Sequence, residues 1–149
     1  MNALDVISLE DAKKNLVVDF PDRDDEITRH IKSAVSIIEQ YTDVYLYERP
    51  VTYTLQGCSL EIYDSPLVWT GTVPEHLHDR AMSVIVHGKK GDVFTANVGY
   101  SDVDDIPQNL VDACYKIITY LFENKDIYSV SLPLDVQMLV NQFRRSATV

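Results

Sequence analysis

The hydrophobic period of this chain changes twice, and that change constrains the fold more than any other feature. Over residues 1–44 and 106–149, apolar residues recur at three- and four-residue steps, the period of an amphipathic helix. Over about residues 45–105 they alternate with polar residues, the period of a half-buried strand. The pattern predicts an α+β chain, in which a small helical bundle from the N- and C-terminal segments carries an inserted antiparallel β region. A length of 149 residues fits a single domain, 1–149.

The bundle is predicted to form around two long helices. Residues 25–43 carry the strongest amphipathic pattern, and a second helix opens at Pro107 and runs to about residue 125. Shorter helices are expected after Ser8, a capping residue, and after Pro133. The residues predicted to pack the core between the long helices are Ile27, Ile31, Val35, Ile38, Leu110, Ile117 and Leu121.

The middle of the chain predicts one antiparallel sheet of four to six strands. Three short strands are expected near residues 51–55, 60–63 and 67–69. Residues 83–87 and 93–98 flank a turn with two glycines, which predicts a hairpin. The stretch after Pro74-Glu75 is interpreted as a solvated loop.

Charge limits the possible partners. The chain has 23 Asp and Glu against 13 Lys and Arg, a formal net charge of −10. Because binding to phosphates depends on Lys and Arg, the chain is a poor candidate for gripping DNA or an anionic membrane. We expect neither a transmembrane segment nor a signal peptide, and two cysteines without CxxC spacing, Cys58 and Cys114, favour a reducing compartment.

No catalytic motif stands out, so we predict a protein that is not an enzyme and has no cofactor. The one cluster that resembles metal ligands is His76, His78 and Asp79. A catalytic zinc site uses three protein ligands and a structural one four, so a metal-dependent hydrolase built on these residues remains an alternative. Another alternative is a small helical nucleic-acid-binding regulator, although the helix at 25–43 offers only Arg29 and Lys32 as basic residues.

Three motifs in order resemble a known family. The first is ISLEDAKKNL (7–16), followed by an acidic stretch and a helix ending in Tyr41-Thr42. The second is Ile106-Pro107 opening a helix that ends in YLFENK (120–125), with Lys where Arg is usual. The third is LPLDVQMLVNQFR (132–144). Together they resemble the head–tail connector proteins (adaptor or head-completion proteins) of long-tailed bacteriophages, in the variant with a β insertion between helices two and three.

The resemblance implies a structural virion protein of the neck, assembled in the host cytoplasm. Connectors of this family form a ring, typically of twelve subunits, that joins the portal to a stopper or tail-completion protein, and double-stranded DNA passes through the lumen without sequence-specific binding. By this resemblance the C-terminal segment, from about residue 128 to residue 149, reaches the portal, with Phe143, Arg144 and Arg145 as candidate contacts. A negatively charged wall repels phosphates, which suits a DNA conduit. The two arginines equally fit the capping of a helix C-terminus.

Overall fold

The structure, a computed structural model, describes residues 1–78, 83–123 and 132–144. Two 3₁₀ turns, Pro21–Arg23 and Val103–Asp105, precede α3 and α4. Within the described residues the elements are α1 (Ala3–Val6), α2 (Leu9–Leu16), α3 (Asp24–Thr42), β1 (Arg49–Thr54), β2 (Ser59–Ile62), β3 (Leu67–Trp69), β4 (Glu75–His78), β5 (Val84–His87), β6 (Val93–Val98), α4 (Gln108–Glu123) and α5 (Leu134–Val140).

Local sequence explains where the helices begin. The Ser8 hydroxyl accepts a hydrogen bond from the backbone N–H of Asp11 at 3.1 Å and so caps α2. Pro107 stands directly before α4, and its carbonyl accepts a bond from the N–H of Leu110 at 2.9 Å. The predicted helices therefore match α2 to α5 closely. The short α1 has no counterpart in the prediction, because four residues are too few to display a helical period.

The helices share one apolar cluster, with α3 and α4 at its centre. Ala12 of α2 and Val136 and Val140 of α5 are buried in it as well. Both ends of the chain thus build one core, and the predicted α+β architecture is confirmed. Leu121 is half-buried at its margin, and the other residues named for this core are buried: Ile27, Ile31, Val35, Ile38, Leu110 and Ile117.

The strands form two three-stranded antiparallel sheets rather than the single sheet that the sequence predicts. The first sheet has the order β1-β6-β3 and the second β2-β5-β4. The predicted hairpin of 83–87 and 93–98 is wrong, because β5 and β6 belong to different sheets. The turn between them bonds instead to the link between β1 and β2: Gly91 donates to the Leu55 carbonyl at 2.8 Å, and Leu55 donates to the Asp92 carbonyl at 2.9 Å.

The predicted loop after Pro74 is also wrong, because Glu75–His78 forms β4. Its backbone pairs with β5 in the register that sets His76 opposite Val86. An edge strand needs few apolar residues, so its sequence displays no clear alternation. The two sheets share a second apolar cluster made of the buried residues Leu55, Ile62, Val84 and Val86. Trp69 and Phe94 pack against this cluster, and their two rings meet edge to face.

The chain enters and leaves the β region at nearly the same place. Val44 forms an isolated parallel bridge with Ser65, close to the end of α3. At the exit, Gly99 has a φ of 99°, and a Cβ on this residue would collide with the carbonyl oxygen of Tyr47. Glycine is therefore required at this crossing. No helix within the described ranges is long and apolar enough to cross a membrane.

Candidate interaction surfaces

The candidate portal residues lie where α5 meets the end of α3. Phe143 is half-buried against the helical core. Arg144 is exposed, with its guanidinium carbon 4.7 Å from the centroid of the Tyr41 ring and Nη1 donating to the Tyr41 hydroxyl at 3.3 Å. That hydroxyl donates in turn to Asn141 Oδ1 at 3.0 Å. The Arg144 side chain thus fastens α5 to α3 instead of capping α5. Arg145 lies outside the described residues.

A polar cluster fastens the other end of α5 to α4. Lys116 Nζ lies 3.0 Å from Asp135 Oδ2, and the Tyr120 hydroxyl donates to Oδ1 of the same carboxylate at 3.1 Å. The hydrogen bond from Lys116 lowers the pKa of Asp135 below its usual value, and the bond from Tyr120 acts in the same direction. Asp112, Glu123 and Asp135 line an open groove of about 540 Å³ here, with Lys116 as the basic residue among its lining. We call it the acidic groove.

Arg49 joins the bundle to the first sheet. Its Nη2 donates to Glu39 Oε1, which also accepts the backbone N–H of Leu46 at 2.8 Å. The Arg49 guanidinium carbon lies 4.6 Å from the centroid of the Tyr45 ring and 4.2 Å from that of Tyr47. These cation–π contacts do not follow from hydrophobic period; the only signal for them is tyrosines two and four residues before an arginine.

A second groove of about 450 Å³ lies between α1, α3 and this junction, and we call it the N-terminal groove. Its apolar lining includes Leu4, Val35 and Tyr47. Its basic lining is Lys32 and Arg49, of which Arg49 is paired with Glu39. Lys32 is exposed and forms no ion pair within the described residues. The groove therefore combines an apolar lining with one uncompensated positive charge.

Two apolar side chains stand out from the far end of the bundle, between α2 and α3. Val17 is 89% exposed and Phe20 is 73% exposed. We call this pair the apolar tip. Three exposed acids flank it in sequence and form no ion pair among the described residues: Asp19, Asp22 and Asp25.

Val17 is exposed although its backbone conformation is unfavourable for a valine. Val17 has φ 56° and ψ 45°, the left-handed conformation, at the C-terminus of α2. Val18 donates to the Lys13 carbonyl and Val17 to that of Lys14, the paired bonds of a Schellman motif. Glycine or asparagine is usual at this position, and a β-branched residue there is strained. The Val17 side chain is 89% exposed, so packing against the described residues does little to offset that strain.

The outer face of the first sheet is lined by exposed uncharged side chains, and at its margin Asn97 donates to the Glu48 carboxylate. Alternation along the strands turns the exposed Thr52 and Thr54 of β1, Val93 and Thr95 of β6, and Val68 of β3 to this face. The register sets Thr52 opposite Thr95 and Thr54 opposite Val93. This surface is apolar in part, like the tip, but lies at the opposite end of the molecule.

The candidate metal ligands do not assemble into a described site. His76 Nδ1 lies 2.8 Å from the Pro74 carbonyl, and its ring is 6.1 Å from Trp69. The side chain of His78 is not described, and Asp79 lies outside the described residues. Elsewhere in the described chain, no three His, Cys, Asp or Glu residues are grouped so as to hold a metal ion. Cys114 is fully buried, and burial raises the pKa of its thiol.

Comparison with known proteins shows the fold. No family model matches the chain, and no curated protein matches its sequence. A chain in the neck of an empty gene transfer agent (GTA) particle, computed with C6 symmetry, matches with a TM-score of 0.71 and 17% identity over 97% of this chain and 92% of that one. A chain in the virion of the native GTA particle matches with a TM-score of 0.71 and 15% identity over the same shares.

A third match comes from the neck of the native GTA particle computed with C12 symmetry, with a TM-score of 0.69 and 14% identity over 97% of this chain and 91% of that one. The likeness covers nearly the whole of each chain, so it includes both the helical bundle and the β region. This protein therefore has the fold of chains found in GTA particles, two of them in necks. The recognition made from the three sequence motifs is confirmed at the level of the fold.

Proposed function

We propose that this protein is a non-enzymatic, ring-forming head–tail connector of a virion neck, which joins the portal to a stopper or tail-completion protein. The observation that carries the proposal is the fold likeness over 97% of the chain to neck chains of GTA particles. The three connector-like sequence motifs support it independently, since they depend on residues and not on backbone superposition.

A ring of copies is supported by the symmetry of those necks. The matching structures are described with C6 and C12 symmetry, so their chains recur around an axis. A protein at a neck position meets the next copy through two different faces, because cyclic rings are built from heterologous contacts. The twelve-subunit ring implied by the resemblance agrees with C12 symmetry.

A conduit for DNA is supported by the charge. With a net charge of −10, the surface of a ring carries many carboxylates per subunit. Phosphates passing such a wall are repelled and not held, so the DNA slides without binding. The portal contact is proposed for the end of α5, where Arg144 is exposed beside half-buried Phe143.

Cryo-electron microscopy of tailed particles from the source of this sequence tests the proposal. We expect density for the α+β fold as a ring between portal and tail, with the end of α5 directed to the portal. Particles whose neck lacks this chain would contradict the neck role. Stoichiometric zinc in protein purified without chelators would instead favour the hydrolase alternative.

A further inference from the structure

We propose that the apolar tip of one copy inserts into the N-terminal groove of the next copy, and that this is one of the contacts between neighbours in the ring. The inference rests on the proposed function, because it takes the partner to be a second copy of this chain. It assigns that contact to two surfaces which the bundle itself leaves without partners.

The two surfaces are complementary in chemistry. The tip presents Val17 and Phe20 beside three acids that form no ion pair with residues 1–78, 83–123 or 132–144. The N-terminal groove presents Leu4, Val35 and Tyr47 beside Lys32, which forms no ion pair in those ranges either. Apolar surface therefore meets apolar surface while opposite charges meet around it, as in specific interfaces.

The acidic groove is a poor alternative for the same tip. It is slightly larger, at about 540 Å³, but three carboxylates line it: Asp112, Glu123 and Asp135. Like charges placed together across an interface oppose binding. For a chain whose copies repel each other at a net charge of −10, the N-terminal groove offers the tip an apolar lining together with Lys32, a cation without an ion pair in the part of the chain that the structure describes.

Geometry makes the contact intermolecular. The tip precedes the first residue of α3, Asp24, whereas the groove is lined farther along the same helix up to Glu39. Asp24 and Lys32, the groove residue of α3 nearest to the tip, are separated by about 12 Å along the helix axis. In the folded chain Phe20 is 73% exposed, so the tip does not occupy the groove of its own copy. Each copy therefore offers one of each to different neighbours, which is the heterologous arrangement a ring requires.

The strained backbone at Val17 is a separate observation that points the same way. A residue held in the left-handed conformation with its side chain in solvent costs stability in the isolated chain. Burial of that side chain in a neighbour's groove supplies the contact that the monomer lacks. The contact is small compared with a stable interface of about 1,200–2,000 Å², so we expect weak association of the free protein.

Covalent trapping detects a weak contact. In full-length protein carrying Cys58→Ser, the pair Pro21→Cys and Ser36→Cys, two exposed positions beside the tip and in the groove that leave the apolar side chains in place, is treated with a short bismaleimide at high protein concentration. We expect a ladder of covalent oligomers, since every copy has a tip and a groove. A chain that carries one of the two cysteines is expected to give no ladder. A mixture of the two single-cysteine chains is expected to give a covalent heterodimer.

The matched control is Pro21→Cys with Val93→Cys, because Val93 is exposed, as Ser36 is, but lies on the outer sheet face. A Pro21/Ser36 ladder no stronger than that of this control would overturn the proposal. Circular dichroism of each variant verifies that the fold is retained.

A charge exchange tests the direction of the contact. In the trapping assay, Asp19→Lys with Asp22→Lys reverses the tip, and Lys32→Glu reverses the groove. We expect each variant alone to lose about tenfold in trapping yield. Their mixture is expected to regain it, since each tip then faces a groove of opposite charge. Failure of the mixture to recover would overturn a tip-to-groove contact.

Analysis of assembled tailed particles distinguishes failure of this inference from failure of the proposed function. If the chain occupies the neck but Phe20→Ser and Lys32→Glu chains enter it as wild type does, the tip contact is wrong and the neck role stands. If Pro21→Cys is trapped to a different neck protein, the second-copy assignment is wrong. If the purified chain forms the covalent ladder but is absent from necks, the contact stands and the neck role is wrong.

Discussion

Val17 places a side chain suited to a strand in a backbone conformation suited to glycine. We expect Val17→Asn to stabilise the isolated protein by about 1 kcal/mol, because asparagine tolerates the left-handed region that Val17 occupies. The midpoint of thermal unfolding should rise by about 2–4 °C. The same change should reduce cross-linking between tip and groove, so that stability and association move in opposite directions.

Val17→Ala is the control for this prediction. Alanine keeps the positive φ while removing most of the exposed apolar surface. We expect it to weaken association with a smaller gain in thermal stability than asparagine gives, because alanine lacks the β-branch but is less suited than asparagine to the left-handed conformation. An unchanged unfolding midpoint for Val17→Asn would show that the backbone at Val17 carries no strain.

Gly99 is the residue at which the β region returns to the bundle, and it has no substitute. We expect Gly99→Ala to destabilise the fold by about 3 kcal/mol, because alanine meets both the positive φ and the Tyr47 carbonyl. Urea unfolding measures the loss. Gly57→Ala is a matched control, since a Cβ at Gly57 meets nothing within 4 Å. An equal effect at both glycines would contradict the explanation.

At the scale of elements, Glu39 connects α3 to the start of the first sheet. Only 10% of its side chain is exposed, and one of its oxygens accepts from both Leu46 and Arg49. We expect Glu39→Ala to cost about 2 kcal/mol in the free energy of unfolding, because it leaves the Arg49 charge and the Leu46 N–H without their acceptor. Glu39→Gln keeps an acceptor and should cost less, and equal losses for the two variants would contradict this role.

The attachment of α5 to α4 should depend on pH. The folded-state pKa of Asp135 is lowered, so its contribution to stability is present above the ordinary carboxyl pKa and is lost as pH falls through the lower folded value. We expect methyl resonances of Val136 and Val140 to report loosening of α5 below about pH 4. Asp135→Asn should remove this dependence. Because the pKa of Asp11 is lowered too, a global unfolding curve alone would not separate the two carboxyls.

The sequence predicts the helices far better than the pairing of the strands. In α3 the burial of Ile27, Ile31 and Ile38 follows from their three- and four-residue spacing. In the β region, alternation identifies which face of a strand is buried, but it does not identify the partner strand. β5 and β6 therefore looked like a hairpin, although β6 pairs with β1 and β3.

The surfaces were harder to predict than the core for a related reason. The place of Arg144 near the end of a predicted helix fits both a partner contact and a helix cap. Its observed position is explained by the Tyr41 ring beneath it, which the sequence does not reveal. The apolar tip was missed because two isolated apolar residues in an acidic stretch have no period. A valine at the position of a helix-ending glycine is the one sequence signal that marks it.

For the whole molecule, the net charge of −10 predicts indifference to DNA. We expect fluorescence anisotropy of a labelled duplex to be unchanged by the full-length protein even at about 50 mM salt, where binding through phosphates is strongest. Replacement of Lys32 by Glu should leave this result unchanged. Binding that weakens steeply as salt rises would contradict the conduit and favour the nucleic-acid-binding regulator.

The adjacent entry and exit of the β region have a consequence for how such proteins diversify. The chain leaves the bundle past Tyr47, before the first strand, and returns beside that residue at Gly99, after the last strand. The six strands are therefore attached to the bundle at one place. A lineage can lengthen, shorten or exchange that appendage without moving any helix of the bundle. Under the proposed connector role, the helices can keep one assembly geometry while the appendage changes with the neighbouring protein.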